Sequence, residues 1–180
     1  MRKFFVLFLG IMITSCNNTP DGSVSKDPSN DSNSGETKKE INLVLDTWHK
    51  DAAEANFEPY FNSMTKDGMF IGTDAGENWN ISDFKKFSKP YFDRGTAWNF
   101  STLDRNIYIS ENGEIAWFDE LLETWMGICR GSGVMVVDDG NWKIKHYVLS
   151  VTIPNENIDE IVKINREIDS SLVVKLRNIE

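Results

Sequence analysis

Proton transfer near neutral pH falls to imidazoles and to carboxylates whose surroundings shift them. This chain has two histidines, His49 and His146, and 28 Asp and Glu. His146 falls mid-strand in the run Trp142–Ile153, with Ile144, Val148 and Ser150 on its side. There it is either a general base or ligand donor in an apolar cavity, or a hydrogen-bonded core residue. Glu120 is the second catalytic candidate. If Asn112-Gly113 forms a two-residue hairpin, Glu111 faces Glu114 and the register pairs Glu120 with Arg105. A following hairpin centred on Trp125 brings Arg130 near Glu120. An acid between two guanidiniums is held ionised and suits the anchoring of a partner charge rather than proton uptake. The plainer alternative is a cross-strand ion pair on a sheet face. The Asp139-Gly140 turn sets His146 opposite Gly133, on the parity opposite to Arg130. Glu120 and His146 therefore line one pocket only if a bulge intervenes, and Gly131-Ser132-Gly133 is the candidate for it.

Trp48, Trp79, Trp98 and Tyr91 are ligand-binding candidates. Their rings can wall an apolar pocket and orient a flat molecule, and they can equally be core. Arg105, Arg130 and Ser132 are the polar members of that candidate site. Asp74 and Glu77 lie in a Gly-rich loop beside Trp79, where they cap the next helix, fix the loop or edge the cavity. Asp51, Asp67 and Asp119 are further carboxylates able to act as a base, and no spacing separates them. Metal binding is not supported: the two His fall in different elements and no Cys/His cluster has ligand spacing. No P-loop, G-x-S-x-G or dinucleotide fingerprint occurs, so no cofactor is expected. A formal charge of −9 argues against nucleic acid, which is bound through Lys and Arg on phosphates. Cys129 reads as a buried small hydrophobe.

The N-terminus carries an address. Arg2 and Lys3 precede an apolar run, Phe4 to Ile13, too short for a spanning helix of about 20 residues. Ile13-Thr14-Ser15-Cys16 resembles the bacterial lipobox, an aliphatic residue and two small ones before cysteine. The resemblance implies cleavage before Cys16 and lipid on its thiol, with residues 1–15 a signal peptide. The expected location is the cell envelope, with the chain exported and held at the membrane through Cys16. Residues 16–38 contain Val24 as their only aliphatic side chain and read as a flexible tether.

From Glu40 the pattern becomes that of a folded domain. Ile41, Val44, Leu45, Trp48 and Ala52 make the stripe of an amphipathic helix ending near Asn56. Pro59-Tyr60-Phe61 suits a short second helix, Met69-Phe70-Ile71 a short strand, and Asp83 to Phe92 a helix capped by Ser82. Trp98–Ile109, Glu114–Leu122, Ile128–Val137 and Trp142–Ile153 are four strand candidates. Asn112-Gly113 and Asp139-Gly140 are tight-turn signals between them. Helices followed by an antiparallel meander give an α+β fold with helices on one sheet face. Both faces of the strands carry apolar groups, so a second cover is needed. Homodimerisation through the sheet is the first choice. The second is packing of a C-terminal helix, residues 155–180, with the stripe Ile158, Ile161, Val162, Ile168 and Leu172.

This order of elements resembles the SnoaL-like branch of the nuclear transport factor 2-like superfamily. The segments carrying the resemblance are Phe70-Ile71-Gly72-Thr73-Asp74 with Glu77 and Trp79, Ala116-Trp117-Phe118-Asp119-Glu120, Arg130 to Val134, Gly140 to Ile144, and Leu149-Ser150 before Pro154-Asn155. It implies a cone-shaped (cystatin-like) fold over residues 39–154, a strongly bent antiparallel sheet around a cavity, commonly dimeric. Relatives often carry His or Asn two positions after the residue matching His146; here that position is Val148. Members include polyketide cyclases, ketosteroid isomerases and domains without catalysis. The expectation is a lipid-anchored envelope protein binding a small, largely apolar molecule in its cone. The alternatives are an isomerase- or cyclase-type enzyme working by proton transfer, and a dimeric interaction module without ligand.

Overall fold

A computed structural model describes residues 28–179. The signal segment, Cys16 and the first part of the tether lie outside the described residues. The chain forms α1 (Pro28–Ala53), α2 (Phe57–Asn62), β1 (Met64–Ile71), β2 (Asn78–Asn80), α3 (Ile81–Phe92), β3 (Ser101–Ile109), β4 (Ile115–Thr124), β5 (Gly127–Asp138), β6 (Asn141–Val151), a 3-10 turn (Asn155–Asn157) and α4 (Ile158–Arg177). The class is α+β, a six-stranded sheet with helices before and after it.

The α1 stripe behaves as its spacing requires. Ile41, Leu45, Trp48 and Ala52 are buried, with Val44 packed beside them. The helix starts earlier than that stripe, at Pro28, so residues 28–38 of the expected tether are helical. From Ser34 to Glu40 the side chains are exposed or half-buried, so this part extends the helix without adding core. In α3 the cap is Asn80 rather than Ser82: the helix begins at Ile81, and Asn80 Oδ1 accepts the Asp83 N–H at 3.0 Å.

The sheet order is β2-β1-β6-β5-β4-β3. Every pair is antiparallel except β1 with β6, which run parallel, so the sheet is mixed rather than wholly antiparallel. A parallel neighbour requires a long crossover, and here α3 and β3 to β5 intervene. On the inner face α1 meets both β3 and β6 while α3 meets β1 and β2, so the sheet wraps the helices.

Both glycine-marked hairpins form. Asp139 and Gly140 have φ of +50° and +77°, the left-handed pair of a type I′ turn, and Asp138 faces Asn141. The other is wider than the two-residue loop expected: the Ser110 N–H donates to the Ile115 carbonyl at 2.8 Å, Glu111 to Glu114 form the loop, and Gly113 takes φ +72°, while the register still pairs Arg105 with Glu120. The third hairpin turns on Trp125-Met126, with Thr124 opposite Gly127. The register of β5 with β6 shifts between Val134 and Met135: Met135 faces Ile144 and Val134 faces His146, leaving Lys145 as the extra residue. The bulge is therefore on β6, not at Gly131-Ser132-Gly133.

That one residue decides which β6 side chains enter the core. Tyr147 and Leu149 point inward and are buried, whereas His146 takes the outer parity. The interior is filled by rings. Trp48 stacks on Tyr60 with centroids 5.0 Å apart and meets Tyr147 edge-on at 4.8 Å; Phe70 stacks on Phe84 at 4.0 Å.

The outer sheet face stays apolar and open, with Tyr108 stacked on Trp117 at 5.9 Å and both about half exposed. The C-terminal helix does not cover it. Pro154 and the 3-10 turn separate α4 from β6, and α4 buries none of its residues. No described helix is long and apolar enough to cross a membrane.

Candidate functional site

Two constellations stand out, one buried and one open. The buried one centres on Glu120, whose side chain has no solvent exposure. The alternation of β4 turns Ala116, Phe118, Glu120 and Leu122 inward. Arg105, opposite on β3, donates Nε to Glu120 Oε2 at 2.9 Å and brings a second nitrogen to 2.8 Å. Tyr147 Oη donates to Oε1 at 2.9 Å, and His49 Nε2 lies 2.9 Å from the same oxygen. Arg105 is held in turn by Asp46 Oδ1 at 2.7 Å and Asn42 Oδ1 at 3.1 Å on α1, and by Thr102 Oγ1 at 3.1 Å.

The charge states follow. Burial pushes the Glu120 carboxyl up, but the His49 hydrogen bond and charge, with the Arg105 guanidinium, outweigh it and hold the group below the usual carboxylate range. Burial, then the Glu120 charge and hydrogen bond, push the Tyr147 phenol well above its ordinary value, so it stays a neutral donor. An ionised carboxylate whose two oxygens already take these four contacts is an anchor that ties β4 to β3, β6 and α1. It has little capacity left to take a substrate proton.

The sequence-derived candidates divide accordingly. Glu120 and Arg105 meet. Arg130 does not join them: with the turn on Trp125-Met126, Glu120 faces Gly131, and Arg130 lies opposite Leu121 with the exposed outer parity. His146 sits on the outer face opposite Val134 and Met69, so Glu120 and His146 share no pocket. Ser132, between Asp119 and Val148, is also on the outer side. Trp48 is core. The missed members are His49 and Tyr147. His49 follows Leu45 by four residues and so falls on the buried face of α1, a signal the stripe already contained. Tyr147 required knowledge of the Lys145 bulge.

The open constellation is a cavity of about 360 Å³ at the end of the cone. Buried Phe70, Phe84 and Leu149 lie at its base. Trp79, Phe87, Tyr91 and Trp98 wall it, with Phe100 and Ala97 beside them. Their packing is close: Trp79 to Phe87 is 4.3 Å, Phe87 to Tyr91 5.4 Å and Phe84 to Trp98 5.9 Å between centroids. The β4–β5 turn brings Trp125, 83% exposed, and Met126 to the rim. Gly72, Thr73 and Glu77 of the β1–β2 loop also line the cavity. Asp74 Oδ1 accepts the Gly76 N–H at 2.7 Å and Glu77 Oε2 accepts the Asp74 N–H at 3.2 Å, so these two carboxylates fix the loop. Glu120 is not among the lining groups; the rings of Trp48, Tyr60, Tyr147 and Phe70 fill the interior behind the opening. Among the described residues no cluster of His, Cys, Asp and Glu is arranged to hold a metal ion.

Solved structures share this architecture. An NTF2-like protein of unknown function from Pseudomonas putida matches 68% of this chain and 92% of its own at 12% identity, with a TM-score of 0.57. The association domain of C. elegans CaMKII matches 67% and 99% at 20% identity and 0.54. A protein of unknown function with a cystatin-like fold from Nostoc punctiforme matches 64% and 90% at 13% identity and 0.53. At these identities the likeness is one of fold. No curated protein matches the chain. The model of the SnoaL-like domain family matches residues 41–154, from Ile41 on α1 through the strand that carries Tyr147, and the chain belongs to that family.

Proposed function

We propose that this protein is a lipid-anchored cell-envelope protein whose SnoaL-like domain binds a small, largely apolar molecule at the aromatic opening, without catalysis. The observation carrying the binding reading is that opening: about 360 Å³, walled by Trp79, Phe87, Tyr91 and Trp98. Its size and lining suit a small organic molecule. The filled interior and the saturated Glu120 weigh against the isomerase- or cyclase-type alternative, because no acid or base of the buried cluster lines the opening. Anchoring rests on Ile13-Thr14-Ser15-Cys16 alone. The test is quenching of tryptophan fluorescence, with a thermal shift, by a panel of neutral aromatic probes. Saturable binding supports the reading; no response to any of them overturns it. Metabolic labelling with a radioactive fatty acid tests the anchor, with Cys16→Ser losing the label.

A homodimer through the outer sheet face belongs to the same proposal. Tyr108, Trp117, Ile115 and Ile128 are each about half exposed there, a face too apolar to be left in water without a role.

A further inference from the structure

The lining of the aromatic opening carries a single formal charge. Among the described residues lining it, Glu77 is the one with a formal charge; Lys and Arg are missing from its walls. The Glu77 carboxylate is half-buried and turned against Gly72, another lining residue, where an added Cβ would stand 2.2 Å from Oε2. It accepts the Asp74 N–H at 3.2 Å but makes no ion pair among the described residues. Trp79, Phe87, Tyr91 and Trp98 line the same opening. A ring face is the negative end of an aromatic quadrupole, and a cation over it is attracted most strongly by Trp. The chain shows this attraction itself: Arg94 lies 4.7 Å from the Tyr91 centroid. The protein as a whole is acidic, at −9, so its field also favours an approaching cation.

A wall of rings with one unpaired carboxylate at its edge is complementary to one ligand chemistry. We propose that the opening takes an organic cation with an apolar body, a quaternary ammonium or a protonated tertiary amine. The ring faces not already stacked on a neighbour meet the cationic head, Glu77 supplies the counter-charge, and the indole of Trp125 covers the apolar end at the rim. Among the lining residues an anionic ligand would meet one carboxylate and no cation, Arg94 lying over the Tyr91 ring outside that lining. This inference rests on the reading that the opening binds a small, largely apolar molecule, and sharpens it.

An isosteric pair separates the two. Phenyltrimethylammonium and tert-butylbenzene share a shape and differ in charge. Each is titrated against the full chain by tryptophan fluorescence, and against Glu77→Gln, whose amide oxygen can still accept the Asp74 N–H and keep the loop. The expected result is that the cation binds at least about fivefold tighter than the hydrocarbon, the worth of a single modest cation–π contact. Glu77→Gln removes about fivefold from the cation and leaves the hydrocarbon unchanged. Equal or tighter binding of the hydrocarbon, or an equal loss of both in Glu77→Gln, overturns the cation inference while the apolar reading stands. Binding of neither probe overturns both.

Discussion

The Tyr147 hydroxyl donates to Glu120 Oε1 at 2.9 Å from β6 to β4, across the intervening strand β5. The approach passes over Gly131, where an added Cβ would stand 2.2 Å from the hydroxyl and 2.9 Å from Oε1. A glycine there leaves the room in which two non-adjacent strands are tied through one carboxylate.

Gly131→Ala should therefore destabilise the fold by about 2 kcal/mol, the usual cost of overpacking a core, and displace the hydroxyl. Tyr147→Phe removes the atom in the way, so the double variant should lose less than the sum of the singles. Urea unfolding of the four proteins checks this. A Gly131→Ala midpoint equal to that of the parent contradicts it.

The two ends of Arg105 differ in worth. Its contact with Glu120 is buried on both sides, so Arg105→Ala, which strands the carboxylate, should cost about 3–5 kcal/mol. Asp46, at the other end, is 62% exposed at its side chain, and Asp46→Ala should cost under about 1 kcal/mol. Equal losses in denaturant unfolding would contradict this division.

Stability should depend on acid through Glu120. Its folded pKa lies below the ordinary carboxylate value, so below that value the unfolded state binds the proton more readily than the folded one. The contribution is complete above the ordinary value of about 4.3 and is lost as pH falls through the lower folded value. Glu120→Gln should flatten the acid limb of the stability curve, measured by denaturant midpoints between about pH 6 and pH 3. An unchanged acid limb in that variant contradicts the assignment.

The outer face predicts assembly. Wild-type protein should run as a dimer in light scattering, and Trp117→Arg, placed beside Tyr108 on the half-exposed face, should run as a folded monomer with a lowered thermal midpoint. A wild-type monomer contradicts this.

What the sequence revealed depended on how far a local signal reached. The Arg105–Glu120 pair was legible because the wider loop, Glu111 to Glu114, keeps the centre of the expected Asn112-Gly113 turn, and parity carries along both strands. Arg130 was misplaced by a single residue. A turn centred on Trp125 and one spread over Trp125-Met126 differ by one step, and one step moves a side chain to the other face. The sole marker there is Gly127, at φ +90°, just after the turn. His146 and Tyr147 exchanged faces through the bulge at Lys145, which no glycine or proline announces. The aromatic wall was legible as a set, since Trp79, Tyr91 and Trp98 do converge; Trp48 has the same residue type but lies on the buried stripe of α1.

The rim indole separates binding from folding. Trp125 is 83% exposed, so Trp125→Ala should leave the thermal midpoint in place. It should weaken an apolar probe by about fivefold, as about 1 kcal/mol of lost contact dictates. Loss of stability without loss of affinity contradicts its placement at the rim.

The six tryptophans report on separate parts of the molecule, so their indole N–H signals in a two-dimensional nitrogen–proton NMR spectrum test the central claim most directly. Titrated with a small aromatic probe, the signals of Trp79, Trp98 and Trp125 should move together and saturably, while Trp117 on the outer face and Trp142 stay in place. Shifts confined to Trp117 or Trp142, or none at all, would contradict a binding site at the aromatic opening.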